Sequence, residues 1–311
     1  MKVVIPFAQV HANNPNLNVN ARDSALETYF HCIVVAFASL RRWNPNLTLQ
    51  LTTNLPISQH YVDLLNGFRV NIRIIDFSFN PPKQFGDMFR GCFYLFDAIA
   101  AEEDDVLYID PDVYCIKQLP KDIFLTQHIG AICLNFPDNK NINGLTPRKA
   151  REIYVEMMSH PVIVNHVHYG GEAIFVPKNL HRKLISEIQQ IWKKNIAAAI
   201  SGKPFFTTEE HILSLVLRNY KVMNLNSVIL RIWTTIKYYR VEGGKPNSER
   251  LSLWHLPAEK SYGFKTAYDL LLKNKLYQDI SVSKQLSKEQ RIFHIRSRYK
   301  KLFHRMRSIS R

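Results

Sequence analysis

The fold turns on Val106-Leu107-Tyr108-Ile109-Asp110-Pro111-Asp112. Four apolar residues in a row predict a buried strand, and two carboxylates one residue apart follow at its end. At the carboxyl edge of a parallel sheet, where open α/β folds bind their ligands, such a pair can turn together toward a hard divalent cation. A Mg²⁺ or Mn²⁺ held there bridges the phosphates of a nucleotide diphosphate and neutralises the charge of a leaving group. The same residues also fit a surface turn bent by Pro111. Just upstream, the acidic run Glu102-Glu103-Asp104-Asp105 reads as the loop that carries a helix into the strand.

On the amino-terminal side the patterning alternates between strand and helix. Lys2 to Phe7 is predicted as a strand, and Ser24-Ala-Leu-Glu27 as the capping box of a helix reaching about Leu40. A strand is expected from Leu47 to Thr52, a helix from Ser58 to Asn66, a strand from Arg69 to Ile75, and a helix from Met88 to Ala101. Beyond Asp112 come a strand near Ile129 to Cys133, a helix near Arg148 to Met158, a strand at Ala173 to Val176, and helices at Leu180 to Ile200 and Thr208 to Asn219. Alternation of this kind predicts an α/β domain, a mixed and mostly parallel sheet flanked by helices, over residues 1–283.

Residues 284–311 follow a different pattern. Ile292, Ile295, Tyr299, Leu302, Phe303, Met306 and Ile309 recur at three- and four-residue spacing, with Arg291, Arg296, Arg298, Lys300, Lys301, Arg305 and Arg307 between them. This is a basic amphipathic helical extension, suited to an anionic membrane surface, to nucleic acid or to a partner protein. The continuous apolar stripe favours the membrane surface, and no nucleic acid is expected as a partner.

The chain has 311 residues, of which 46% are hydrophobic, enough for a substantial core, and its formal net charge of +15 suits phosphate-rich partners without choosing among them. Cys32, Cys92, Cys115 and Cys133 show no CxxC pairing and read as reduced thiols. Met1-Lys-Val-Val-Ile-Pro-Phe is too short an apolar run for a signal peptide or a membrane span. A cytoplasmic protein, peripheral at the inner face of the membrane through its tail, is the expectation.

Three further segments extend the motif: Tyr169-Gly170-Gly171-Glu172-Ala-Ile-Phe-Val176, Thr208-Glu209-Glu210-His211-Ile-Leu213, and Leu253-Trp-His255-Leu-Pro-Ala-Glu-Lys260-Ser-Tyr-Gly263. Over about residues 1 to 270, with Val106 to Asp112 as the best match, the chain resembles the GT-A (Rossmann-like) glycosyltransferases. It is most similar to the retaining group of glycogenin and the bacterial lipopolysaccharide glucosyl- and galactosyltransferases.

That resemblance implies a nucleotide-sugar donor, UDP-linked in the favoured case, and Mn²⁺ or Mg²⁺ on Asp110, Asp112 and His255. It implies contacts to the donor from Pro6, Phe7, Ala8, Arg90, Asp110, Gly170, Gly171 and Lys260. Lys83 and Asp87 precede the same helix as Arg90. Glu172, Glu209 and Glu210 are the candidate catalytic carboxylates, acting electrostatically on a positively charged sugar. The chain departs from the family where Gly170 stands for an asparagine, where Pro257 and Ala258 replace a glycine region, and where Ser261-Tyr262 replaces Pro-Trp.

Plainer readings of the same residues exist. Gly170-Gly171 fits a tight turn, Glu209 and Glu210 fit charges at a helix start, and His255 fits a packed core residue. The expected activity is transfer of a sugar to a hydroxyl of a glycan or lipid-linked acceptor, with retention of configuration. A nucleotidyltransferase acting on sugar phosphates also uses a strand-end Asp pair, but Pro6 to Asn20 has no glycine for the usual phosphate loop. A non-catalytic membrane-associated scaffold is the third class.

Overall fold

The computed structural model describes residues 1–10, 24–158, 167–234, 240–242, 251–277 and 281–295. Alternate residues of the first strand, β1 (Lys2–Phe7), face opposite layers: Val3, Ile5 and Phe7 join one core and Val4 the other. Period-two alternation of this kind makes β1 the centre of a two-faced sheet.

Helix α1 (Ala25–Trp43) opens where Ser24 Oγ accepts a hydrogen bond from the Glu27 N–H at 3.4 Å, as the capping pattern predicts. It continues one turn beyond the predicted end, to Asn44, whose side chain donates to the Leu40 carbonyl at 3.2 Å. Strand β2 (Thr48–Thr53), helix α2 (Gln59–Gly67) and strand β3 (Val70–Ile74) fall where the sequence places them. The predicted helix from Met88 is shorter: Arg90 to Phe93 forms a single 3-10 turn, and the α-helix proper is α3 (Tyr94–Ala100). It leads to β4 (Val106–Ile109), and after Asp110-Pro111-Asp112 the chain enters β5 (Val113–Cys115).

The rest of the domain adds β6 (Ile129–Leu134), α4 (Pro147–Met158), β7 (His168–Val176), α5 (His181–Ile200), α6 (Glu209–Leu217) and β8 (Val222–Asn224). Then come β9 (Ile229–Trp233), β10 (Arg240–Glu242), β11 (Leu253–His255), α7 (Lys265–Leu272) and α8 (Val282–Ile292). The main sheet has seven strands in the order β3-β2-β1-β4-β7-β6-β8. All neighbours are parallel except β7, which runs antiparallel to both β4 and β6. This is the mixed, mostly parallel α/β sheet that the sequence predicts. One layer, with α1, packs on Val3, Ile5, Leu107 and Ile109; the other packs Leu184, Ile188, Ile212 and Leu213 of α5 and α6 on Val4, Val106 and Tyr108.

A second sheet, β10-β9-β11-β5, was not anticipated. Its strands are three to five residues long, too short for a periodicity to show. It matters because β5 continues directly from the end of β4. The two sheets therefore meet at Asp110-Pro111-Asp112.

The division expected at residue 284 falls inside α8. Phe293 is fully buried against Tyr114 and Phe264, with ring centroids at 4.6 and 5.1 Å, and Ile292 and Ile295 pack on the same core. Glu289 accepts a hydrogen bond from the Tyr114 hydroxyl at 2.9 Å. Residues 284–295 thus belong to the body of the domain, and Ile292 and Ile295 are committed to it rather than to an outward stripe. The remaining positions of the extension, from Arg296 to Ile309, lie outside the described residues.

Candidate active site

Strand register gathers the site. In the main sheet Ile109 pairs with Ala173, which sets Glu172 beside Asp110, and the Asp110 N–H donates to the Glu172 carbonyl at 3.1 Å. In the small sheet His255 pairs with Val113 on one side and with Arg231 on the other. The Leu256 N–H closes the corner on the Asp112 carbonyl at 3.0 Å. Five strands, β4, β5, β7, β9 and β11, thereby bring Asp110, Asp112, Glu172, Arg231 and His255 to one place.

His255 Nε2 lies 3.5 Å from Asp110 Oδ2 and 3.4 Å from Asp112 Oδ2, and one ligand atom from each of the three residues falls within 4.8 Å of the others. Adjacent ligands of an octahedral cation at about 2.1 Å stand roughly 3 Å apart, so a small contraction makes this a coordination site. Two carboxylates and an imidazole suit Mn²⁺ well. Burial alone would push His255 down, but the Asp112 and Glu172 carboxylates outweigh it and raise it to about 9. Burial alone would likewise raise Asp112; Lys260 and His255 hold it well below the usual carboxylate range. Lys260 Nζ is 2.7 Å from Asp112 Oδ2. The site thus carries protons and an ammonium where a metal ion would bring its own positive charge.

These groups open onto a cavity of about 590 Å³, within the usual range for a small-molecule site. Pro6, Phe7 and Ala8 form one wall at the end of β1, with Tyr29 and Leu26 of α1 beside them. Arg90 is also part of the lining; its Nε is buried without a hydrogen-bond partner among the described residues, and the carboxylate of Asp87 is 3.7 Å away. Lys83 and Asp87 themselves are exposed and are not part of the lining.

The glycine segment is not a turn. Gly170 and Gly171 lie inside β7, where the pairing with β6 shifts register between Ala131 and Ile132. A Cβ on Gly170 would overlap Glu172 Oε2, and one on Gly171 would overlap Glu209 Oε1. Gly171 lines the cavity. Gly170 does not; it makes room for a glutamate.

The three candidate carboxylates have different surroundings. Glu172 is 1% exposed, lies behind the lining, and receives both Nε and Nη2 of Arg231 at 2.9 and 2.7 Å. Glu210 lines the cavity and is held by Arg231 at 2.6 Å, His168 at 2.9 Å, Asn143 at 3.1 Å and the Gly171 N–H at 3.1 Å. Burial opposes ionisation of both, and the Arg231 guanidinium overrides it, holding each below the usual range. Glu209 also lines the cavity, but burial and then the charge of Glu210 push it up to about 8. Glu209 therefore favours its protonated form more than an ordinary glutamate does, and Glu210 favours its ionised form.

Sequence reasoning missed Arg231 and Asn143. Arg231 had a signal: it is a lone charge inside the apolar run Val228 to Trp233, and a buried arginine requires anionic partners. Asn143 (φ 49°) and Gly144 (φ 94°) form the two-residue turn between the paired Ile142 and Leu145, as Asn-Gly does in tight hairpins.

No protein-family model matches this chain, and no curated protein does. Similar solved structures exist. The galactosyltransferase LgtC, in complex with donor and acceptor sugar analogs, is 14% identical, with 82% of this chain and 86% of that chain covered at a TM-score of 0.47. An active-site mutant of LgtC is 15% identical with the same coverage and a TM-score of 0.48. The apo form of GlyE from Streptococcus pneumoniae TIGR4 is 14% identical, with 72% of this chain and 45% of that chain covered at a TM-score of 0.40. These neighbours are glycosyltransferases. The overlaps are loose, and the chemistry of the site rests on the side chains of this chain.

Proposed function

We propose that the protein is a metal-dependent glycosyltransferase that moves a sugar from a nucleotide-diphosphate donor, a UDP-sugar in the favoured case, to an acceptor hydroxyl. The observation that carries this reading is the meeting of Asp110, Asp112 and His255 at the end of β4, on the floor of a cavity that also holds Arg90 and Lys260. Two acids and an imidazole suit a divalent cation, and two basic side chains nearby suit the diphosphate it would carry.

Bound there, Mn²⁺ or Mg²⁺ would neutralise the charge that builds on the departing diphosphate. Arg90, whose buried Nε has no hydrogen-bond partner among the described residues, donates to a phosphate oxygen. Lys260 turns from Asp112 to the same group. Glu210, kept ionised by Arg231 and His168, offers negative charge to a sugar that becomes positive as the bond to phosphate breaks. Glu209, in its protonated form, donates a hydrogen bond to a sugar hydroxyl. The bond from the anomeric carbon to the diphosphate breaks, and the acceptor hydroxyl attacks that carbon from the same face, losing its proton to the leaving phosphate; same-face attack gives retention without a protein nucleophile.

The acceptor is a glycan or lipid-linked hydroxyl. Its meeting place at an anionic membrane surface is supported by the basic amphipathic pattern of residues 296–311, which lie outside the described residues. Among the described residues no helix is long and apolar enough to cross a membrane.

The test is hydrolysis of a panel of nucleotide sugars, with and without Mn²⁺, by the wild type and by Asp110→Asn and Asp112→Asn. One donor should be turned over in a Mn²⁺-dependent way, and each substitution should lower the rate by a hundredfold or more, roughly the several kcal/mol that a Lewis acid supplies. Rates indifferent to metal and to both substitutions would refute the reading. Inversion at the anomeric carbon, seen by NMR of the product, would remove retention alone.

A further inference from the structure

One edge of His255 is accounted for by the two aspartates. Its other ring nitrogen, Nδ1, is buried and has no hydrogen-bond partner among the described residues. Glu172 Oε1 stands 3.7 Å from it, a separation that closes to a hydrogen bond with a shift of under about 1 Å. Glu172 itself cannot wander, because both its oxygens are gripped by Arg231. The same guanidinium reaches Glu210 in the cavity wall. Register fixes this arrangement, since Arg231 and His255 are paired residues of neighbouring strands.

An imidazole offers Nε2 to a metal ion only in the tautomer that carries its proton on Nδ1, and a buried Nδ1–H needs an acceptor that holds the ring in place. We propose that Glu172 and Arg231 are positioning residues of the metal site: Glu172 accepts the Nδ1–H hydrogen bond of His255, and Arg231 holds Glu172 in that post. This assigns Glu172 a role behind the metal ligand in place of one against the sugar. It also explains Gly170, since any side chain there would occupy the space of the Glu172 carboxylate. Arg231 further ties the histidine ligand to Glu210, so that the metal centre and the cavity wall share one anchor. The inference rests on the metal-dependent reading above.

The experiment measures Mn²⁺ affinity of the full-length protein without nucleotide, by EPR titration, for the wild type, Asp112→Asn, Glu172→Gln and Arg231→Lys. Loss of an outer partner of a ligating histidine typically weakens metal binding by 10–100-fold, and that loss is expected for Glu172→Gln and Arg231→Lys in protein that still melts cooperatively. If Asp112→Asn abolishes binding while folded Glu172→Gln and Arg231→Lys bind as the wild type does, the inference falls and the metal site stands. If the wild type takes up no Mn²⁺, both fall. A second measurement needs no variant: ¹⁵N NMR of the Zn²⁺-loaded wild type should show His255 metallated at Nε2 and protonated at Nδ1, and metal on Nδ1 would overturn the inference.

Discussion

Lys260 places its ammonium 2.7 Å from the carboxylate of Asp112, with both side chains buried, so that the aspartate expected to bind a cation already has one beside it. In Lys260→Met the closest partner of a buried charge is gone, which costs about 3–5 kcal/mol in metal-free protein. Mn²⁺ then has more to restore. Its stabilising effect, read as the shift in melting temperature, is expected to be larger in the variant than in the wild type; equal shifts would show that Lys260 and the cation do not compete for Asp112.

Gly170 and Gly171 separate stability from activity. In Gly170→Ala the new Cβ meets a carboxylate locked by Arg231, so a loss of about 1–3 kcal/mol in urea unfolding is expected. In Gly171→Ala the neighbour is the end of Glu209, which can swing into the cavity. That variant should stay closer to wild-type stability and lose at least about tenfold in nucleotide-sugar turnover. The reverse pattern would mean that the two carboxylates have been given each other's roles.

Asp97, away from the site, supplies a pH dependence. Burial pushes it up to about 6 from an ordinary 3.8, although it accepts hydrogen bonds from the Ser78 and Phe79 N–H groups at 3.1 Å each. The folded chain therefore binds this proton more tightly than the unfolded one. Stability from this group is fully present below about pH 4 and is lost as pH rises through 6, by an amount on the order of 2–3 kcal/mol. The stability of the wild type minus that of Asp97→Asn should fall by that amount between pH 4 and 7. Urea unfolding of both proteins across the range checks it, and a constant difference would show an unshifted carboxyl.

Phe293→Ala tests whether the last described helix is part of the domain. A fully buried phenylalanine truncated to alanine costs about 3–5 kcal/mol, and a side chain on a detached tail costs nothing. The denaturation midpoint is expected to drop accordingly.

Much of the main sheet was legible, because its helices and strands are long enough to show a period and the Val106 to Ile109 strand is apolar throughout. That Asp110, Asp112 and His255 are candidates for one cluster was legible for a different reason: carboxylates at a strand end and a late histidine are chemically conspicuous. What escaped was long-range. Nothing local in Val113 to Cys115, Ile229 to Trp233 or Leu253 to His255 says that these segments pair, so Arg231 could not be placed beside His255. The pairing states of Glu172, Glu209 and Glu210 were equally hidden, since they depend on which of three nearby acids a single guanidinium reaches. The apolar stripe of the carboxyl-terminal segment was read as one surface; Ile292 and Ile295 instead follow the docking of Phe293 into the core.

The junction of the two sheets has a consequence for how the molecule is held together. Asp110 and Asp112 leave the main sheet, His255 sits in a three-residue strand of the small one, and a cation shared by them would act as a staple across that seam. A ligand that binds only the folded form adds its binding free energy to the folding equilibrium. Metal supply would then bear on the cohesion of the small sheet as well as on catalysis.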